Sequence, residues 1–196
     1  MGLSALSVAA TEPLRLVVLG DSLTSGYGLP IKDAFPTQLE AALRARGIDV
    51  TVVNAGVSGD TTAGGRARLD WVFASAPTAV IIELGANDGL RGIAPAATAE
   101  NLDAIIGQLK QRRIPVLLAG MYAPANLGRD YTRAFNSLYP RLAKSHNVIL
   151  YPFFLDGVAG VPALNQDDGI HPNANGVATL VERILPPVLR LLGKVS

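Results

Sequence analysis

Apolar residues fall along this chain in short uninterrupted runs separated by longer stretches in which they recur every three or four positions. The runs are Leu16 to Leu19, the β-branched stretch from Asp49 to Val53, Ala79 to Leu84, Pro115 to Met121, and Val148 to Leu150. Their length and branching predict strands buried on both faces, as in a parallel sheet. Between them, Leu39 and Leu43 lie four apart after Pro36, and Gly47 reads as the stop of that helix. A second helix is predicted from Thr61 through Leu69, Trp71, Val72 and Phe73 until Pro77. A third opens at Pro95 and carries Leu102, Ile105, Ile106 and Leu109 at helical spacing. A fourth covers about Arg129 to Lys144, and a last one runs from Asn173 to about Leu192. Pro186-Pro187 should kink or break that last helix. Tyr151 to Pro172 shows no period and reads as irregular.

Strand and helix thus alternate five times, with no internal repeat and no low-complexity linker. This predicts a three-layer α/β/α domain, flavodoxin-like, with a five-stranded, mainly parallel sheet in the order 2-1-3-4-5. At 196 residues one domain is expected, spanning 13–196. Residues 1–12 stand apart: Leu3 to Ala10 is apolar and rich in small residues, and Ser7-Val8-Ala9-Ala10 has the look of a signal-peptide end. They are read as a leader or the remnant of a signal peptide, although the basic n-region is missing.

Composition narrows the chemistry. Net charge is +1, and the one basic cluster, Lys110-Gln111-Arg112-Arg113, lies at a predicted helix end, where cations suit the dipole. No nucleic-acid footprint is present. There are no cysteines, which excludes disulfides, thiolate metal sites and a cysteine nucleophile. No apolar run is long enough to span a bilayer, and no coiled-coil pattern argues against a monomer.

Four polar clusters follow the predicted strands or close the irregular segment: Gly20-Asp21-Ser22, Ser58-Gly59-Asp60, Gly85-Ala86-Asn87-Asp88 and Asp168-Gly169-Ile170-His171. In a parallel sheet the first three share one edge, the carboxyl edge where α/β domains do their chemistry. The last helix can return the fourth to that edge. A serine hydroxyl becomes a nucleophile when an imidazole, oriented by a carboxylate, takes its proton. Of the two histidines, His146 lies at a helix C-terminus that accounts for it, whereas His171 has Asp168 beside it. Ser22, His171 and Asp168 are therefore the candidate catalytic set. Donors for an oxyanion are the N–H of Ser22, the N–H of Gly59 and the side-chain amide of Asn87. Each cluster also has a plain structural reading: Asp21 or Ser22 as a helix cap, Ser58-Gly59-Asp60 as a loop, Asn87-Asp88-Gly89 and Asp168-Gly169 as turns, Pro172 as a helix start.

In order along the chain, Gly20-Asp21-Ser22-Leu23, Gly59, Gly85-x-Asn87-Asp88 and Asp168-x-x-His171 resemble the four sequence blocks of the SGNH (GDSL) hydrolases. The flanking stretches, Glu83 to Gly92 and Gln166 to Pro172, are similar to the bacterial thioesterase I / arylesterase / lysophospholipase branch. Ala86 departs from the second Gly frequent in that branch. The resemblance implies a periplasmic or secreted enzyme. It also implies that the loop around Leu90-Arg91-Gly92 shifts when substrate binds.

These readings combine into a serine ester hydrolase that needs no metal or other cofactor and takes a small-molecule ester. Asp21 is expected to organise the turn. Leu23, Leu90, Ile93, Tyr122, Pro124 and Phe153 are expected to line an apolar crevice, with Tyr122 and Phe153 equally readable as core. The serine does not lie in Gly-x-Ser-x-Gly, so the α/β-hydrolase elbow is not expected. Two rivals remain at this stage. One is a metal-dependent phosphoesterase with Asp21, Asn87, Asp168 and His171 as ligands, although two-metal sites usually draw on more His and carboxylates. The other is a nucleotide- or sugar-binding module without catalysis, for which neither Gly-rich phosphate motif is present.

Overall fold

The computed structural model describes residues 13–194, so the leader expected over residues 1–12 lies outside the described residues. Five strands, β1 (Leu14–Gly20), β2 (Val50–Gly56), β3 (Ala79–Glu83), β4 (Val116–Ala119) and β5 (Ile149–Tyr151), form one sheet in the order β2-β1-β3-β4-β5. Every pairing is parallel, as Leu16 opposite Val52 and Ala79 illustrates for the central strand. The expected order is correct. The apolar runs of β1, β3 and β4 are buried because helices cover both faces.

Among the described residues eight α-helices connect the strands, α1 (Ser22–Ser25), α2 (Phe35–Arg44), α3 (Thr62–Ala67), α4 (Leu69–Ala74), α5 (Ala86–Leu90), α6 (Pro95–Gln111), α7 (Arg129–Asn136) and α8 (Leu138–His146), and a ninth, α9 (Ala174–Leu191), follows β5. The step from β1 to β2 runs one way across the sheet and the later steps run the other way. Right-handed crossovers therefore put α2 on one face and α3, α6 and α8 on the opposite one. The packing of α2 against α9, and of α6 against α3 and α8, fits this division. Buried Leu39, Leu43, Ile184 and Val188 belong to the first layer and Leu102, Ile105, Leu109 and Leu142 to the second.

Three helix predictions need correction. The helix expected from Thr61 is interrupted at Arg68, whose backbone (φ −106°, ψ 19°) leaves the helical region between α3 and α4. The helix expected over 129–144 is two, parted at Ser137. Pro140 explains this break, since without an N–H it cannot bond the carbonyl of Asn136, the last residue of α7. Conversely, α9 runs unbroken through Pro186 and Pro187. The carbonyls to which those prolines cannot donate belong to Glu182 and Arg183, both exposed residues, where solvent can take the place of the missing N–H. Burial of Ile184, Leu185, Pro187, Val188 and Leu191 holds the helix against the core, each large side chain contributing on the order of 1.5–3 kcal/mol.

Candidate active site

The site lies at the carboxyl edge of the sheet, where β1, β2 and β3 end in Gly20, Gly56 and Glu83. Ser22 opens α1 directly after β1. Asp21 caps that turn, accepting the Leu23 N–H at 3.0 Å through one carboxylate oxygen and the Asn87 Nδ2 at 3.0 Å through the other. The expected turn-organising part of Asp21 is thus visible in the geometry, and it extends to aiming Asn87. Gly56 permits the close approach of β2, because a Cβ there would meet the Ser25 nitrogen at 2.3 Å.

His171 reaches this turn from the loop before α9. Its Nε2 lies 2.8 Å from Ser22 Oγ and its Nδ1 2.6 Å from Asp168 Oδ2. Asp168 Oδ1 accepts the N–H groups of Ile170 and His171, both at 2.9 Å. These bonds, the backbone N–H of His171 first and its ring next, lower the Asp168 pKa to about 2, so the carboxylate is ionised across the neutral range. With Asp168 accepting from Nδ1–H, Nε2 carries a lone pair toward Ser22 Oγ.

Gln166 carries a role that sequence reading missed. Its Nε2 donates to the carbonyls of Tyr27 at 2.8 Å and Pro172 at 3.0 Å, which ties the His171 loop to the segment after α1. The Tyr27 ring packs on the His171 ring with centroids 4.7 Å apart. His146 lies far along the chain at the end of α8, paired with Asp103 on α6 at 2.7 Å, in keeping with a structural part.

The donor side of the site is built by two turns. Gly59 has φ +81°, in the left-handed region that glycine enters freely. Its loop is tied to β1 by the Val57 N–H bonding the Gly20 carbonyl at 3.1 Å. Asn87 sits on α5 behind Gly85, whose φ is +117°. Asp88, buried beneath, accepts from the Thr62 N–H and hydroxyl and from the Thr98 hydroxyl, fastening α5 to α3 and α6. Among the described residues neither the Ser22 N–H nor the Gly59 N–H bonds to protein, so both remain available as donors.

Beneath the serine turn lies a buried acid pair. Burial raises Asp21 to about 6, while the Leu23 N–H, the Asn87 amide and the nearby His171 pull it back. Glu83 is fully buried, accepts the Thr24 hydroxyl at 2.7 Å and the Asp21 N–H at 3.3 Å, and leaves Oε1 without a partner. Burial, and next to it the Asp21 charge, push the Glu83 pKa well above the usual carboxylate value.

Ser22 and His171 open onto a cavity of about 300 Å³ with a mostly apolar wall. Leu23, Leu90, Tyr122, Pro124 and Phe153 line it as expected, with Tyr122 and Phe153 stacked at a centroid distance of 4.5 Å. Ile93 does not line it; its carbonyl accepts the Tyr131 hydroxyl at 2.7 Å. Tyr27, Ser58, Met121, Leu155 and Ile170 also line it and were not anticipated. They come from loops, where no period marks a side chain as facing inward. The four residues of the phosphoesterase reading are held in two hydrogen-bonded pairs, Asp21 with Asn87 and Asp168 with His171. Asp21 is engaged by Leu23 and Asn87, Asp168 by His171, and among the described residues no three His, Cys, Asp or Glu side chains are grouped to hold a metal ion.

Residues 18–178 match the GDSL-like lipase/acylhydrolase family. The chain is 40% identical over 188 residues to an arylesterase of Vibrio mimicus, covering 95% of this chain and 94% of that protein. It is 39% identical over 188 residues to the thioesterase 1/protease 1/lysophospholipase L1 of Escherichia coli strain K12, covering 94% and 89%. Among solved structures, the SGNH-hydrolase family esterase AlinE4 superposes with a TM-score of 0.78 at 46% identity, covering 94% of this chain and 99% of that one. These relatives support ester hydrolysis and neither of the two rival readings. The chain belongs to the GDSL-like lipase/acylhydrolase family, and it is a serine ester hydrolase of the SGNH type.

Proposed function

We propose that the enzyme cleaves carboxylic esters with an apolar acyl or aryl group through an acyl-enzyme on Ser22. The observation that carries this reading is the hydrogen-bonded line Ser22 Oγ, His171, Asp168, with steps of 2.8 and 2.6 Å, at the mouth of an apolar cavity. Ser22 Oγ attacks the acyl carbon while His171 Nε2 takes the hydroxyl proton. The carbonyl oxygen becomes an oxyanion facing the N–H groups of Ser22 and Gly59 and the second hydrogen of Asn87 Nδ2, the first being engaged by Asp21. Collapse breaks the bond to the leaving alcohol, which receives the proton from His171. Water then attacks the acyl-enzyme with His171 again as base, releasing the acid and restoring Ser22. Asp168 holds the productive tautomer and stabilises the imidazolium of both halves.

Thioesters and lysophospholipids belong to the same substrate proposal, because both present an apolar acyl group to the same wall and the names of the relatives include both activities. The test is hydrolysis of p-nitrophenyl esters of increasing acyl length by wild type and Ser22→Ala, with and without chelator. The expected result is a chelator-insensitive activity that vanishes in Ser22→Ala and falls off once the acyl chain outgrows the cavity. Undiminished hydrolysis by Ser22→Ala would remove Ser22 as nucleophile.

A further inference from the structure

Arg68 lies outside the cavity wall, yet it connects the two chain segments that the proposed chemistry brings together. Its Nε donates to Asp60 Oδ2 at 2.7 Å, Nη1 to the Ala55 carbonyl at 2.7 Å and Nη2 to the Gly20 carbonyl at 2.8 Å. Gly20 stands two residues before Ser22, and Asp60 directly follows Gly59. Beyond Gly20 and Gly56 the parallel pairing of β1 and β2 ends, and besides Arg68 the two segments are joined by the Val57 N–H bond to the Gly20 carbonyl at 3.1 Å and by the Ser25 and Ser58 hydroxyls at 2.8 Å, neither of which reaches past Ser58. The ion pair is largely withdrawn from water, with side chains 14% and 13% exposed, so it is screened far less than a surface pair. Only a planar guanidinium offers three donors in a fixed fork, and each here meets a different acceptor.

We infer that Arg68 is a positioning residue: it fixes the Gly59 N–H against Ser22 and thereby sets the geometry of the oxyanion pocket. The inference rests on the proposed reading of Gly59 as an oxyanion donor. Donors in such a pocket work only when held in place before the charge develops, and a shift of about 1 Å can cost on the order of 10²-fold in rate. Because Arg68 does not touch the cavity, its loss acts on the transition state and spares ground-state binding.

The experiment measures kcat and KM on a p-nitrophenyl ester for wild type, Arg68→Gln, Arg68→Lys and Asp60→Asn, each checked by thermal unfolding, with Ser22→Ala in the same series. Arg68→Gln is expected to lose about ten- to a hundredfold in kcat with KM within about twofold. Arg68→Lys falls between it and wild type, since one ammonium cannot serve all three acceptors. Asp60→Asn, which leaves both carbonyl bonds in place, loses about three- to tenfold. A folded Arg68→Gln protein with kcat within twofold of wild type, or with only KM changed, overturns the inference. If that variant does not fold, an unchanged kcat in Asp60→Asn overturns it. Activity persisting in Ser22→Ala is a separate failure, that of the proposed nucleophile, and it leaves the Arg68 series to be read by itself.

Discussion

Replacing Asp168 by Asn tests how this site chooses the tautomer of its base. The asparagine carbonyl oxygen can keep both backbone N–H bonds that Asp168 Oδ1 accepts at 2.9 Å, so the turn survives. The amide nitrogen then faces His171 Nδ1, where the carboxylate stands at 2.6 Å. That nitrogen only donates, so Nδ1 must present its lone pair and the ring proton moves to Nε2, against Ser22 Oγ. The base is then blocked. Escaping by an amide flip points NH₂ at two backbone N–H groups and loses two hydrogen bonds, roughly 1–1.5 kcal/mol each at this partly exposed position. Loss of the carboxylate charge beside the imidazolium adds about 1–2 kcal/mol at such exposure. The sum, about 3–5 kcal/mol, corresponds to a fall in kcat of about 10²- to 10⁴-fold at about 1.4 kcal/mol per tenfold. Steady-state hydrolysis of a p-nitrophenyl ester near neutral pH, with thermal unfolding to confirm the fold, reads the effect. A folded Asp168→Asn enzyme within tenfold of wild-type kcat would refute the tautomer argument.

Asn87→Ala removes one proposed oxyanion donor and should lower kcat by about 10²- to 10³-fold with little change in KM; a loss confined to KM would assign Asn87 to ground-state binding instead. Glu83 bears on stability. Its pKa is higher in the folded state than the usual 4.5, so above that value folding favours uptake of a proton and stability falls as pH rises. Asp21, raised to about 6, contributes a fall of the same sign between its usual 3.8 and that value. Glu83→Gln should therefore lose less stability than wild type as pH rises above the usual 4.5, by up to about 1.4 kcal/mol per pH unit; an identical pH dependence of urea unfolding in the two proteins would contradict this. Gly85→Ala combines a φ of +117° with a Cβ only 2.0 Å from the buried Tyr139 hydroxyl. It should cost about 2–4 kcal/mol and lower Tm by roughly 5–10 °C, and a Tm within 2 °C of wild type would count against it.

What could be read before the structure is what local patterns encode. Five apolar runs and the loops after them place Ser22, Gly59 and Asn87 at one edge, and the loop before α9 delivers His171 to it. Missed features depend on contacts between segments distant in sequence. Arg68 reads as an ordinary helical residue until its three acceptors are seen, and Gln166 as a polar loop residue until it reaches Tyr27, 139 positions away. Pro140 carried a break at Ser137 that the helical spacing over 129–144 hid, whereas Pro186-Pro187 suggested a break that does not occur, in a stretch where Glu182 and Arg183 are exposed. Ile93 shows the limit for loops, since hydrophobicity marks a side chain as apolar without saying whether it lines the cavity.

The most direct test of the central claim is intact-mass spectrometry of the enzyme quenched during turnover of a p-nitrophenyl ester, followed by peptide mapping. One added acyl group is expected, located on Ser22 and absent from Ser22→Ala. Mapping of that acyl group to any other residue, or an adduct of equal yield in Ser22→Ala, would contradict that claim.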